Sequence, residues 1–315
     1  AFNDTIANPR KIVMSADDSK AYVAIQGPAG TADIYHNQGE NAPGAPLFTF
    51  GVPTGTANFR GVQVIERFGN GWITNSDIVS TANKIHLPDS AHGVGASVQM
   101  PSDLVMDPER EKLYISTWTP NDNIGVADIF VAELDDSSPD FETILTDKTL
   151  DITANDIFSL AMGPVDRLLY AACTPSNIIA VGDPDGATYA ERNYGSFIST
   201  EVLARPVDIQ MTPDGHHAVV LNGGTNTSNP ATESLTVLDI TDPANMQVDH
   251  MHKFPDGSQP RQIESYDPAG SLMYVSLSAT DTMERVDFTG EFGNELMTSF
   301  QSSSSTGDVP VGLTS

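Results

Sequence analysis

Apolar residues in this chain fall into short runs rich in Val, Ile, Tyr and Phe, each closed off by Gly, Pro, Asn or Asp. Leu113-Tyr114-Ile115-Ser116, Asp128-Ile129-Phe130-Val131-Ala132 and Asn177-Ile178-Ile179-Ala180-Val181 are examples. Runs of this size and composition read as β-strands. No segment sustains the three-to-four spacing of an amphipathic helix. The pattern predicts an almost entirely β protein.

The runs recur in a fixed order. A Pro is followed by two variable residues, an aliphatic residue, a turn, and then an aromatic or branched residue that opens a second run. One copy is Pro101-Ser102-Asp103-Leu104, turn Asp107-Pro108, then Leu113-Tyr114-Ile115. Another is Pro206-Val207-Asp208-Ile209, turn Pro213-Asp214-Gly215, then Val219-Val220-Leu221-Asn222. Pro9 and Pro260 open two more, and weaker copies read Phe59-Arg60-Gly61-Val62 with Trp72 and Ile157-Phe158-Ser159-Leu160 with Tyr170. Copies start near residues 9, 59, 101, 157, 206 and 260, with a further start at 309, a period of 42 to 56 residues. A third and a fourth apolar run follow in each copy. Four short antiparallel strands per repeat, arranged radially, make a β-propeller blade, and face-to-face stacking of blades shelters their edges. The expectation is one domain over residues 1–315: an all-β propeller, seven-bladed, its last blade incomplete in this chain. A six-bladed ring with terminal extensions is the other arrangement the count allows.

The segment Arg205 to Asn222, with its Pro-x-x-aliphatic start, Pro-Asp-Gly turn and terminal Asn, resembles the YVTN repeat of seven-bladed propellers. That grouping includes lactonase-like enzymes and surface-layer proteins. Leu235-Thr236-Val237-Leu238-Asp239-Ile240-Thr241-Asp242-Pro243 is similar to the LVIVD-type propeller repeat. The resemblance covers essentially the whole chain. It implies architecture rather than activity, because propellers host many unrelated functions.

Length alone suggests two domains; the repeat replaces that with one. Charge adds exclusions. Acids number 42 against 15 bases, a net of -27. Such a chain repels phosphate backbones and anionic lipid surfaces, so general nucleic-acid binding is not expected. No run approaches the roughly 18 apolar residues of a membrane span. No basic-then-apolar leader opens the sequence, so a signal peptide is expected to be absent or already removed. The acid excess suits a protein from salty surroundings, where salt screens repulsion, or an ordinary secreted acidic protein. The single cysteine, Cys173, excludes an internal disulfide framework and reads as an inert packed thiol.

Candidate chemistry begins with the position after the repeat Pro. First strands of propeller blades line the channel, so this position is expected to ring one mouth. The column reads Arg10, Arg60, Ser102, Phe158, Val207, Arg261 and Val311. Three of nine arginines in one column would form an anion or carboxylate clamp, since guanidinium forks bind such groups bidentately. The plainer reading is that they neutralise nearby carboxylates. The next column holds Asp103 and Asp208, and the ligand-binding set is therefore Arg10, Arg60, Ser102, Asp103, Asp208 and Arg261.

His250 and His252 share one face of a strand, a spacing that can chelate a metal. Asp183 and Asp185 in Asp183-Pro184-Asp185-Gly186 supply oxygens that hard cations prefer, so Ca2+ or another divalent cation is the ion to consider, although no cofactor is fixed. Exposed strand histidines and solvated acidic turns are the plainer readings. Asn3 and Asn226 head glycosylation sequons. No Gly-x-Ser-x-Gly elbow, phosphate-binding loop or haem motif occurs.

Two function classes follow. One is an extracellular, cell-surface, periplasmic or virion-surface propeller that binds protein or glycan partners, alone or in a larger assembly. The other is a lactonase-like propeller hydrolase; a propeller subunit of a periplasmic dehydrogenase is a third reading. The binding module is preferred, because no set of general-base or metal-binding carboxylates aligns to the channel mouth.

Overall fold

The computed structural model describes residues 9–25, 31–34, 48–51, 61–68, 71–72, 84–87, 100–118, 127–152, 156–199, 202–224, 233–265, 272–279, 282–287 and 296–301. The chain divides into two compact units, Ala1–Thr149 and Leu150–Ser315.

The first unit carries β1 (Pro9–Met14), β2 (Lys20–Ile25), β3 (Thr31–Ile34), β4 (Phe48–Gly51), β5 (Gly61–Phe68), β6 (Gly71–Trp72), β7 (Lys84–His86), β8 (Met100–Asp107), β9 (Lys112–Trp118) and β10 (Ala127–Glu133). One sheet runs β1-β2-β5, extended by β6 and β7, which both pair with β5. A second contains β8, β9 and β10 in antiparallel succession, and β3 and β4 form a separate hairpin.

The second unit carries β11 (Leu150–Ile152), β12 (Ile157–Met162), β13 (Leu169–Cys173), β14 (Ile178–Gly182), a single helical turn α1 (Tyr189–Arg192), β15 (Asn193–Ile198), β16 (Pro206–Met211), β17 (His217–Gly223), β18 (Glu233–Asp239), β19 (Gln247–Lys253), β20 (Pro260–Ser265), β21 (Leu272–Leu277), β22 (Thr282–Asp287) and β23 (Leu296–Gln301). Three four-stranded antiparallel meanders result: β12 to β15, β16 to β19 and β20 to β23.

One predicted repeat is corrected. The segment beginning at Phe59-Arg60 was expected to open a blade, but β5 is the third strand of the first sheet. It pairs with β2 from Ile25↔Gly61 to Lys20↔Glu66. The described residues therefore hold five multi-stranded sheets and one hairpin, where the repeat count gives six complete copies. Alternation of apolar and polar residues cannot tell a first strand from a third. The pairing of β5 with β6 sets Trp72 opposite Arg67, an aromatic at the repeat spacing from Phe59 in the sequence. The start at 309 lies outside the described residues.

The sheets are apolar on both faces, which explains the near-continuous runs. Alternate residues of β17 enter different cores. Ala218 and Val220 join Tyr170, Ile179, Val181 and Ile209. Val219 and Leu221 join Leu235, Ile263, Val275 and Val286. The two periods of one strand thus cement its sheet to a neighbour on each side. In the first unit Tyr22, Val62, Val64, Leu104, Ile115 and Phe130 form the equivalent layer.

The hairpins between first and second strands close with polar turns. In the β16–β17 turn, Thr212 N donates to His217 O at 3.0 Å and Gly215 N to Thr212 O at 2.9 Å. Gly215 has φ +71, and a Cβ there would stand 2.7 Å from Val165 Cγ2, so glycine is required twice over. In the β1–β2 turn, hydrogen bonds from the Ser15 and Ser19 hydroxyls and the Ser19 amide hold the exposed Asp17 carboxyl down at about 2.

Leu221 is 0% exposed and Val165 is 68% exposed. Leu221→Ala should cost about 2–5 kcal/mol in urea unfolding. Val165→Ala should stay within about 0.5 kcal/mol. Equal effects of the two would contradict the two-faced core.

Candidate functional site

Every first strand breaks register at the same place. The irregularity lies at Pro9/Ile12 in β1, Pro101/Asp103 in β8, Ile157/Ser159 in β12, Pro206/Asp208 in β16 and Pro260/Gln262 in β20. A bulge leaves one residue unpaired and re-aims its side chain. In four of these strands that residue is the one after the repeat Pro position: Ser102, Phe158, Val207 and Arg261; in β1 the unpaired residues are Arg10 and Lys11. Arg10 and Arg261 are exposed, Phe158 is 41% exposed, and Ser102 and Val207 are half-buried. Arg60 and Val311, expected in the same column, lie outside the described residues, as do Asn3 and Asn226.

In the column one step further on, Asp103, Ser159 and Asp208 are buried and serve the fold. Asp208 is 5% exposed. Its Oδ1 accepts from Ser159 Oγ at 2.6 Å and from its neighbour Ile209 N at 2.9 Å. Its Oδ2 accepts from Ile263 N at 2.7 Å. One carboxylate thereby joins β12, β16 and β20, the first strands of three successive sheets. Gln210, on the same face of β16, donates through Nε2 to Ile263 O at 3.4 Å. Two side chains of β16 thus engage both backbone groups of an edge residue in the next sheet.

Asp103 repeats the local half of this arrangement. It is 4% exposed, its Oδ1 accepts from Leu104 N at 2.8 Å, and Lys11 Nζ of the neighbouring first strand stands 3.8 Å away. Ser102 Oγ lies 2.9 Å from Ser116 Oγ within its own sheet. The exposed Arg261 guanidinium donates through Nε to Ser278 Oγ at 3.3 Å. Arg205, exposed and with φ 54, contacts Gly224 O through Nη1 at 3.5 Å, while Asn177 Oδ1 accepts its backbone N–H at 2.7 Å.

The metal candidates stand apart from this column. His250 and His252 are half-buried on β19, and His252 meets Phe254 edge-on with ring centroids 5.5 Å apart. Asp183 Oδ1 accepts from Asp185 N at 2.9 Å, an arrangement that shapes the turn after β14. Among the described residues no group of three or more His, Cys, Asp or Glu is arranged to hold a metal ion. The sequence did not single out His217 with Asp249. There the register shift in β19 sets Asp249 Oδ2 3.8 Å from His217 Nε2.

Cys173 is 0% exposed, and burial pushes its thiol up to about 12. It is an inert core group. Asn222, at the matching position of β17, is also 0% exposed. Its side chain donates to Ser234 Oγ, Thr236 Oγ1 and Val202 O and accepts from Ala204 N, tying the incoming connection to the sheet.

No protein-family model matches the chain, and no curated protein matches it. Solved structures do. A functionally unknown protein from Desulfotomaculum acetoxidans superposes with a TM-score of 0.58 at 16% identity, over 94% of this chain and 71% of that one. The periplasmic gluconolactonase of Pseudomonas aeruginosa gives 0.58 at 13% identity, over 93% and 85%. The fold is that of a β-propeller. A protein from Lactobacillus plantarum gives 0.51 at 15% identity, over 79% of this chain and 64% of that one. At such identities these likenesses define the propeller architecture alone. In this propeller the four-stranded sheets are blades, and the bulged column is carried by their first strands. Among the described residues, no helix is long and apolar enough to cross a membrane.

Asp208→Ala would leave the Ser159 hydroxyl and the Ile263 N–H without their carboxylate. It should lower stability by about 3 kcal/mol or more, with Asp208→Asn losing less because it keeps an acceptor oxygen. Arg261→Ala, on the exposed column, should leave the thermal midpoint nearly unchanged. An Asp208→Ala protein as stable as the wild type would remove the carboxylate from its bridging role.

Proposed function

We propose that this propeller is a binding and assembly module of the extracellular, cell-surface or periplasmic space. Within each unit, blades packed through two-faced cores hold the bulged first-strand residues, and those residues meet a protein or glycan partner. The carrying observation is the division of labour between two adjacent columns. The carboxylates of Asp103 and Asp208, which catalysis would need accessible, are buried and hydrogen-bonded to backbone. The exposed column carries Arg10, Phe158 and Arg261, residues suited to recognition. Arg60 belongs to the proposed ligand-binding set by its sequence position, with Ser102 as a polar neighbour. Ca2+ or another divalent cation at Asp183 and Asp185 or at His250 and His252, and glycans on Asn3 and Asn226, are accessory features of the same reading. The acid excess of the sequence suits saline surroundings, and its resemblance to the YVTN repeat suits a surface-layer or adhesive role.

The competing reading is a lactonase-like hydrolase, the activity named for the Pseudomonas aeruginosa neighbour. A lactone-opening assay separates the two. With glucono-1,5-lactone and added Ca2+, Mg2+ or Zn2+, the purified protein should not exceed the spontaneous rate. Metal-dependent turnover that disappears in Arg10→Ala, Arg60→Ala or Arg261→Ala proteins would replace the binding reading with the hydrolase.

A further inference from the structure

Three neighbouring first strands of the second unit present chemically different residues at one register. β12 packs beside β16, and β16 beside β20. At the bulge these strands carry Phe158, 41% exposed, Val207, half-buried, and Arg261, exposed. The spacing of the three is set by Asp208, which follows Val207 and is bonded to Ser159, next to Phe158, and to Ile263, two residues beyond Arg261. Val207 is held from below: a Cβ on Gly223 would stand 2.7 Å from Val207 Cγ1 and 3.5 Å from Arg205 O. Gly223 therefore lets Val207 and the Arg205 backbone settle onto β17. The exposed Arg205 stands two residues before Val207 on the same segment.

The first strands thus present an exposed aromatic ring and an exposed guanidinium on either side of Val207, which packs partly on the core beneath it, in a chain whose net charge is -27. Exposed arginine beside exposed apolar area fits an anion that also has an apolar part. A polyol such as a sugar acid would leave its hydroxyls facing Phe158 and Val207 without hydrogen-bond partners, which costs binding energy.

We propose that the Phe158–Val207–Arg261 surface binds a carboxylate carried on an apolar body, with the body on Phe158 and Val207 and the carboxylate on Arg261. This rests on the reading of the first-strand column as a binding face and names the ligand class that face selects. Arg261 donates to the carboxylate through its two Nη groups, its Nε being engaged with Ser278 Oγ. Phe158 contributes apolar area, which supplies affinity without demanding hydrogen bonds. Selection works against both halves of the wrong ligand: an uncharged analogue forfeits Arg261, and a hydroxylated acid forfeits Phe158.

The test is a titration of the whole chain, isotope-labelled for NMR, with 3-phenylpropionate, 3-phenylpropionamide and gluconate. Both key side chains are exposed, so Phe158→Ala and Arg261→Gln proteins should fold. The proposal expects saturable binding of 3-phenylpropionate, with shifts centred on β12, β16 and β20. Affinity should fall about tenfold or more in each variant, and by a similar factor for the amide and for gluconate in the wild type. Gluconate binding as tightly as 3-phenylpropionate, with Phe158→Ala unaffected, would overturn the ligand class while leaving the binding face intact. Failure of all three ligands to shift the first-strand resonances would overturn the ligand class and withdraw this column from the binding reading as well.

Discussion

The arrangement of the second unit depends on a carboxylate that spans three strands. First strands are sheet edges, and an edge carries N–H and C=O groups that its own sheet leaves unused. β12, β16 and β20 pack side by side without pairing into one sheet. Asp208 and Gln210 act as a substitute ladder: one accepts from Ile263 N and the other donates to Ile263 O. Ser159 completes the link on the other side. A buried charge is costly unless hydrogen-bonded, and here the bonds that satisfy it are also the ones that join the blades.

This lock and the exposed column are two sides of one bulge. Because the strand slips register between Pro206 and Asp208, Val207 is left unpaired and half-buried while Asp208 bonds to the neighbouring strands. The same slip in β12 and β20 exposes Phe158 and Arg261. Fixed spacing of the recognition residues therefore follows from burial of the residues beside them. The residue at the bulge differs from strand to strand, arginine in β1 and β20, serine in β8, phenylalanine in β12 and valine in β16.

Much of this was legible in the residues. The Pro-x-x-aliphatic start, the Asp-containing turn and the following apolar run mark β1, β8, β16 and β20, the weaker Ile157 copy marks β12, and Cys173 is packed as its position implies. The copy at Phe59 misled, because its alternation and its spacing to Trp72 match a first strand, whereas pairing with β2 decides its place. Pairing partners are long-range facts that a local pattern does not encode. Asp103 and Asp208 were visible as a polar column, but their occupation was not. Nothing in Pro206-Val207-Asp208-Ile209 states that the acceptor will meet an N–H some fifty residues later. The signal available was the polar column itself, with Asp103, Ser159 and Asp208 buried and Lys11 and Gln262 half-buried beside it. Polar residues recurring at one buried register indicate a bonded network rather than a solvent face.

The most direct test of the bridging carboxylate is native-state hydrogen exchange at the Ile263 amide, a group on a sheet edge. The structure predicts that it exchanges as slowly as the buried strand amides of Val220 and Val275, because its release requires the blades to separate. Exchange at the rate of an exposed turn amide such as Gly257 would show that Asp208 does not hold it, and the account of how these blades are joined would fail.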